Sequence, residues 1–186
     1  MRKLKTLFAL LVLSFFTIGN LWAAIANPYS FTFAKGELTT SSTTYTKGEV
    51  TWNLSACEDA WDGTANKSGY RFGSASSTKT LTISTSDISG TITAISVTGR
   101  SNNANKSATV SVRVGTSDFS TSDDTWDNGN NQTLNFSGSA SGQIAVTITP
   151  SECGYILSGI SVTYNTGSTD PTITVPDDGD VDLDLD

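Results

Sequence analysis

The run from Ser107 to Val114 alternates without a break, with Ala108, Val110, Val112 and Val114 at every second position and polar residues between them. Successive side chains of an extended chain point to opposite faces, so this pattern is a strand with one face in a core and the other in water. The same period returns in Gln143 to Thr149 through Ile144, Val146 and Ile148, in Ile160 to Tyr164, and in Leu81 to Ile83. Val50, Trp52 and Leu54 share one face of a further run. Thr91 to Thr98 carries Ile92, Ile95 and Val97 with one slip of spacing, the mark of a bulge. Tyr29 to Phe33, Tyr70 to Phe72 and Leu134 to Phe136 are shorter strand segments, and no stretch has a convincing helical period.

Turn residues punctuate these runs at Lys47-Gly48, Ser89-Gly90, Gly99 to Asn105, Asp127 to Asn130 and Ser139 to Gly142. About nine short strands with regular turns predict an all-β fold, a jelly-roll-like antiparallel β-sandwich. A Greek-key immunoglobulin-like sandwich is the second choice, and its usual size of about 100 residues is smaller than this domain.

The chain divides into three parts. Residues 1–26 read as a signal peptide: a basic start at Arg2, Lys3 and Lys5, an apolar run from Leu7 to Ile18, and small residues at Ala24 and Ala26, with cleavage before Asn27. That run is too short for a membrane anchor, which needs about 20 apolar residues. Residues 27–166 form the β-sandwich domain, and 167–186 an acidic linker or tail. The expected location is outside the cytoplasm: secreted, and extracellular, periplasmic or at the cell surface, without membrane insertion.

Composition removes whole classes of function. With no histidine among 186 residues, Ser-His-Asp and Cys-His nucleophiles and His-containing zinc sites are excluded. Two cysteines are too few for a four-thiolate metal site. Removal of Arg2, Lys3 and Lys5 leaves eight basic against 18 acidic residues, a balance unsuited to nucleic acid. Enzyme chemistry would have to run on carboxylates alone. Glu37 and Glu49 are the pair that could face each other, yet each directly follows a Lys-Gly turn, where glutamate is ordinarily solvated. The expectation is a protein that binds and does no chemistry.

In an oxidising compartment Cys57 and Cys153 are expected to form a disulfide. They stand 96 positions apart, and closing so large a ring contributes roughly 4–5 kcal/mol in the chain-entropy account.

Two tryptophans outside the strand patterns mark the candidate ligand site. Trp61 with Asp62, and Trp126 with Asp127 and Asn128, each set an indole among side-chain oxygens. An aromatic face can stack on a pyranose while Asp and Asn hold its hydroxyls. The alternative is that each indole caps the sandwich. Asp123, Asp124 and Asp127 are the candidate metal ligands, for Ca²⁺, which takes six to eight oxygens; no other cofactor is expected. Asp178, Asp180 and Asp182 in the tail have the alternation that opens a calcium loop but lack its later glutamate. Arg71, between Tyr70 and Phe72, would meet a ligand carboxylate or a neighbouring acid.

The order of the segments Val50 to Trp52, Gly69 to Ser74, Lys79 to Ile83, Gly90 to Gly99, Val110 to Gly115, Phe136 to Ile144 and Leu157 to Tyr164 resembles the secreted jelly-roll modules common in Bacteroidetes, which are sometimes appended to extracellular nucleases or other surface enzymes. The resemblance implies non-catalytic binding or display at the cell surface. The expected partner is a glycan or, on the alternative of a structural or adhesive module, a surface protein.

Overall fold

The computed structural model describes residues 25–34, 37–39, 41–55, 69–73, 78–103, 105–127 and 129–166. Twelve strands run through them: β1 (Tyr29–Thr32), β2 (Thr44–Lys47), β3 (Val50–Leu54), β4 (Tyr70–Phe72), β5 (Leu81–Thr85), β6 (Thr91–Ser101), β7 (Ala108–Val114), β8 (Ser117–Asp118), β9 (Thr125–Trp126), β10 (Gln132–Ala140), β11 (Ile144–Pro150) and β12 (Tyr155–Asn165). The described residues contain no helix. The count exceeds the expected nine through β2, β8 and β9, which have four, two and two residues and are too short to show a period.

The strands form two antiparallel sheets. One has the order β1-β12-β6-β10, with β4 paired to the first residues of β12; the other has the order β2-β3-β5-β11-β7-β8, with β9 also on β7. From β5 to β7 and again from β10 to β12 the chain changes sheet at every step. That wrapping is the jelly roll expected from the sequence.

Alternation fills the space between the sheets. Val50, Trp52 and Leu54, then Val110, Val112 and Val114, then Ile144, Val146 and Ile148 point inward from one sheet. Phe31, Ile95, Val97, Leu134, Phe136, Ile160 and Val162 meet them from the other. Each such side chain contributes roughly 1.5–3 kcal/mol of burial. The expected bulge is present: Thr163 pairs with Ala94 and Tyr164 with Ile92, so Thr93 is the extra residue in β6.

The outer faces explain why serine and threonine together make 55 of the residues. Cross-strand side-chain hydrogen bonds cover them: the hydroxyl pairs Thr98–Thr133 at 2.8 Å, Thr82–Thr147 at 3.1 Å and Thr46–Thr51 at 3.0 Å, and Ser96 Oγ donating to Asn135 Oδ1 at 2.7 Å. Threonine is a good strand former whose hydroxyl serves the solvent side, so these positions favour the sheet without adding apolar surface.

The sandwich has two poles. At one, the β6–β7, β9–β10 and β11–β12 connections come together. At the other, Asn27 clasps Tyr164: its Nδ2 donates to the Tyr164 carbonyl, and Tyr164 N donates to its Oδ1 at 3.3 Å. The Tyr164 hydroxyl also donates to the Ile25 carbonyl at 2.6 Å. Ile25 and Ala26 lie on the leader side of the expected cleavage; a chain beginning at Asn27 keeps the Asn27 clasp and gives up the Ile25 contact. Residues 1–24 and 167–186, which hold most of the expected leader and the expected tail, lie outside the described residues.

Candidate functional site

The crossing register puts two serine-bearing turns face to face at the first pole. Pro150 pairs with Ala108, so Ser151 and Ser107 follow as neighbours. Ser151 N donates to the Ser107 carbonyl at 2.9 Å, Ser107 N donates to Ser151 Oγ at 3.2 Å, and that Oγ donates to the Ser107 carbonyl at 2.9 Å. Asn102 N reaches the Gly154 carbonyl at 3.0 Å, tying the same two loops a second time. Within the β6–β7 turn, Asn103 Oδ1 accepts from Asn105 N at 3.0 Å, and the Asn103 carbonyl accepts from Lys106 N at 3.1 Å.

Asp127 enters from the third loop. Its backbone N donates to Gln132 Oε1 at 3.1 Å, and Gln132 Nε2 returns a bond to Asp127 Oδ1 at 3.1 Å. The two residues therefore hold each other across the β9–β10 connection, and the carboxylate has a fixed direction. Asn105, Lys106, Ser107, Asp127, Ser151 and Glu152 line an open groove of about 440 Å³. Lys106 and Glu152 form an ion pair across it. The hydrogen bond to Glu152 raises the Lys106 ammonium above its ordinary value, and the same bond lowers Glu152. With that pair neutral, Asp127 leaves the groove one negative charge. It presents hydroxyl, amide, ammonium and carboxylate groups with no apolar side chain, a lining that matches a neutral, hydroxyl-rich ligand better than an anion.

Of the expected ligand residues, Asp127 lies in this groove. Trp126 does not serve as a stacking face: it is 0% exposed. The reason is β9, which pairs Trp126 with Ala108 of β7 and turns the indole inward, where its ring centroid lies 6.4 Å from that of Tyr155. Its Nε1 is buried without a hydrogen-bond partner among the described residues. Trp61, Asp62 and Asn128 lie outside the described residues.

The calcium cluster does not assemble. Asp123 Oδ1 accepts from Thr125 N at 3.0 Å, Asp124 Oδ1 accepts from Thr125 Oγ1 at 2.9 Å, and Asp127 is held by Gln132. Each carboxylate accepts a hydrogen bond within its own loop, as Asp in turns commonly does. Among the described residues no three His, Cys, Asp or Glu side chains gather to hold a metal. The tail aspartates Asp178, Asp180 and Asp182 lie outside them.

Glu37 is committed to structure. It accepts from Ala34 N at 2.7 Å, from Tyr45 Oη at 2.8 Å and from Lys47 Nζ at 2.8 Å. Its partial burial pushes the carboxyl up, and these three bonds together outweigh that and lower it. A general acid needs the opposite shift. Arg71 sits on β4 opposite Ile156 of β12. Cys153 is buried and unbridged, with Ser101 Oγ 3.3 Å from its sulfur, while Cys57 lies outside the described residues.

The groove residues that sequence reasoning missed are Asn105, Lys106, Ser107, Ser151 and Glu152. Their one local signal was that each lies within three residues of a strongly alternating strand, β7 or β11, and so must lie near a strand end. Neither a protein-family model nor a curated protein matches the chain.

Proposed function

We propose that this chain is an exported, non-catalytic binding module that holds a neutral glycan by hydrogen bonds in the Asp127 groove. The observation that carries the reading is the groove itself, lined only by polar and charged residues from three loops, two of them tied to each other, with the Asp127 carboxylate oriented by Gln132. Preorganised polar groups lower the ordering cost of binding. The resemblance to secreted jelly-roll modules supports the same class of role. The leader belongs to this proposal.

A structural or adhesive module making protein contacts is the second reading, and one observation favours it. Every aromatic side chain among the described residues is buried, from Tyr29 to Tyr164, so the groove offers no stacking platform. Affinity electrophoresis against a panel of neutral polysaccharides separates the two. The glycan reading expects retention that Asp127→Ala and Asn105→Ala each weaken about tenfold, roughly 1.4 kcal/mol, with the melting temperature held. Absence of retention on every polysaccharide leaves the structural reading.

A further inference from the structure

Asp127 and Gln132 can hold each other in one sense only. Asp127 N donates to Gln132 Oε1 and Gln132 Nε2 donates to Asp127 Oδ1, both at 3.1 Å. The Gln132 amide has one accepting oxygen and one donating nitrogen, and using both on the same residue fixes which way it faces. Asp127 Oδ1 is occupied in this way. Among the described residues no hydrogen bond reaches Oδ2, and Asp127 is exposed where it lines the groove. An ionised carboxylate has no proton to give, so Oδ2 is an acceptor alone.

The other polar groups of the groove have partners within it. Glu152 is tied to Lys106, and among the described residues no second cation lines the groove. Ser107 Oγ donates to Ser151 Oγ at 3.4 Å, and Ser151 Oγ donates to the Ser107 carbonyl at 2.9 Å. Asp123 and Asp124 turn their Oδ1 atoms to Thr125 and do not line the groove. Asp127 is thus the lining group whose free atom has a fixed polarity and no cation beside it.

We infer, on the glycan reading, that Asp127 set by Gln132 makes the groove select at one position for a group that donates a hydrogen bond. A free sugar hydroxyl is taken there, and a carboxylate, as in a uronic acid, is refused. The hydroxyl gives Oδ2 a charge-assisted bond. A carboxylate in its place sets two anions against each other and leaves both without a donor. The clamp also dictates how the preference is reversed. In Asp127→Asn the side-chain oxygen is still the atom that Gln132 Nε2 requires, so the new amide nitrogen stands where Oδ2 stood and donates into the groove. The position that refused a carboxylate then accepts one.

Affinity electrophoresis on matched neutral and carboxylated polysaccharides tests this: dextran against carboxymethyl-dextran, hydroxyethylcellulose against carboxymethylcellulose, and galactan against polygalacturonate. The expected result is retention by a neutral member about tenfold stronger than by its carboxylated partner, the scale of one hydrogen bond to a charged group. Asp127→Asn should narrow or invert that ratio with the melting temperature held. Adding Gln132→Ala to it should undo part of the change, because the freed amide can turn either way. Asp118→Asn removes the same charge at the far end of β7, beside Arg113, and should leave the ratio as it was. Equal retention on both members by the unaltered protein overturns the inference and leaves the glycan reading standing. So does a ratio that Asp127→Asn does not move, or that Asp118→Asn moves as far. Absence of retention on every polysaccharide overturns both.

Discussion

The six-membered ring of Trp126 rests on the backbone of Gly99: a Cβ placed there would lie 2.6 Å from Cζ2 and 2.5 Å from the Ile156 carbonyl oxygen. Glycine in the middle of β6 is thus the space the indole occupies. Gly99→Ala should overpack this site at about 1–3 kcal/mol. The melting temperature should fall by several degrees, and the Trp126 indole should become open to acrylamide quenching. An alanine variant as stable as the parent, with unchanged quenching, would sink this account of why Trp126 is buried.

Alkaline pH should unfold the domain. Burial is the main cause that raises Tyr29, Tyr45 and Tyr155 above the ordinary tyrosine value of 10.0, and at Tyr45 the bond to Glu37 adds to it. Raised folded values mean that the unfolded chain releases its protons first. The stability is therefore whole below pH 10 and declines as pH rises toward the folded values, by up to about 1.4 kcal/mol per pH unit for each group. Urea titrations above pH 10, followed by tyrosinate absorbance, should show ionisation and unfolding as one transition. Ionisation of all the tyrosines in a still-folded protein would contradict it.

At the acid end the sign reverses. Glu37 is lowered from 4.5 in the folded chain, so its contribution is present above pH 4.5 and is lost as pH falls through the folded value. Acid titration of Glu37→Gln should lack that component, and the gap between variant and parent should close below pH 4.5. A gap that stays constant would assign the effect to the lost hydrogen bonds alone.

Chelation should leave the melting temperature unchanged to within a degree or so, because Asp123, Asp124 and Asp127 already accept hydrogen bonds from Thr125 and Gln132. A clear fall on adding chelator, reversed by Ca²⁺, would mean that these aspartates are organised differently in solution.

The long strands were legible because their period is local. Val110, Val112 and Val114 declare β7 without reference to anything else in the chain. β9 was not legible, since Thr125–Trp126 is two residues inside an acidic run, and what turns the indole inward is its pairing with Ala108. A trace of it existed in Gly99 and Gly138, strand-interior glycines that face Trp126 and Phe119. Glycine in such a place signals a large neighbour, without naming which. The groove was hidden for a different reason. Lys106 and Glu152 stand 46 positions apart, and only the register that sets Ala108 against Pro150 joins them. Asp127 was found because turn chemistry is written in its immediate surroundings.

The clasp between Asn27 and Tyr164 has a mechanical side. β1 begins and β12 ends at the same pole, with Tyr29 opposite Val162 and Thr32 opposite Gly159. Tension applied through the two ends of the domain would pull neighbouring strands apart sideways, so the rungs from Tyr29 to Thr32 would give way one after another like a peeled tape. A shear load would strain all four together. A load that enters at the same pole through both ends of the domain therefore meets the β1–β12 seam rung by rung, whereas one that bypasses that seam does not.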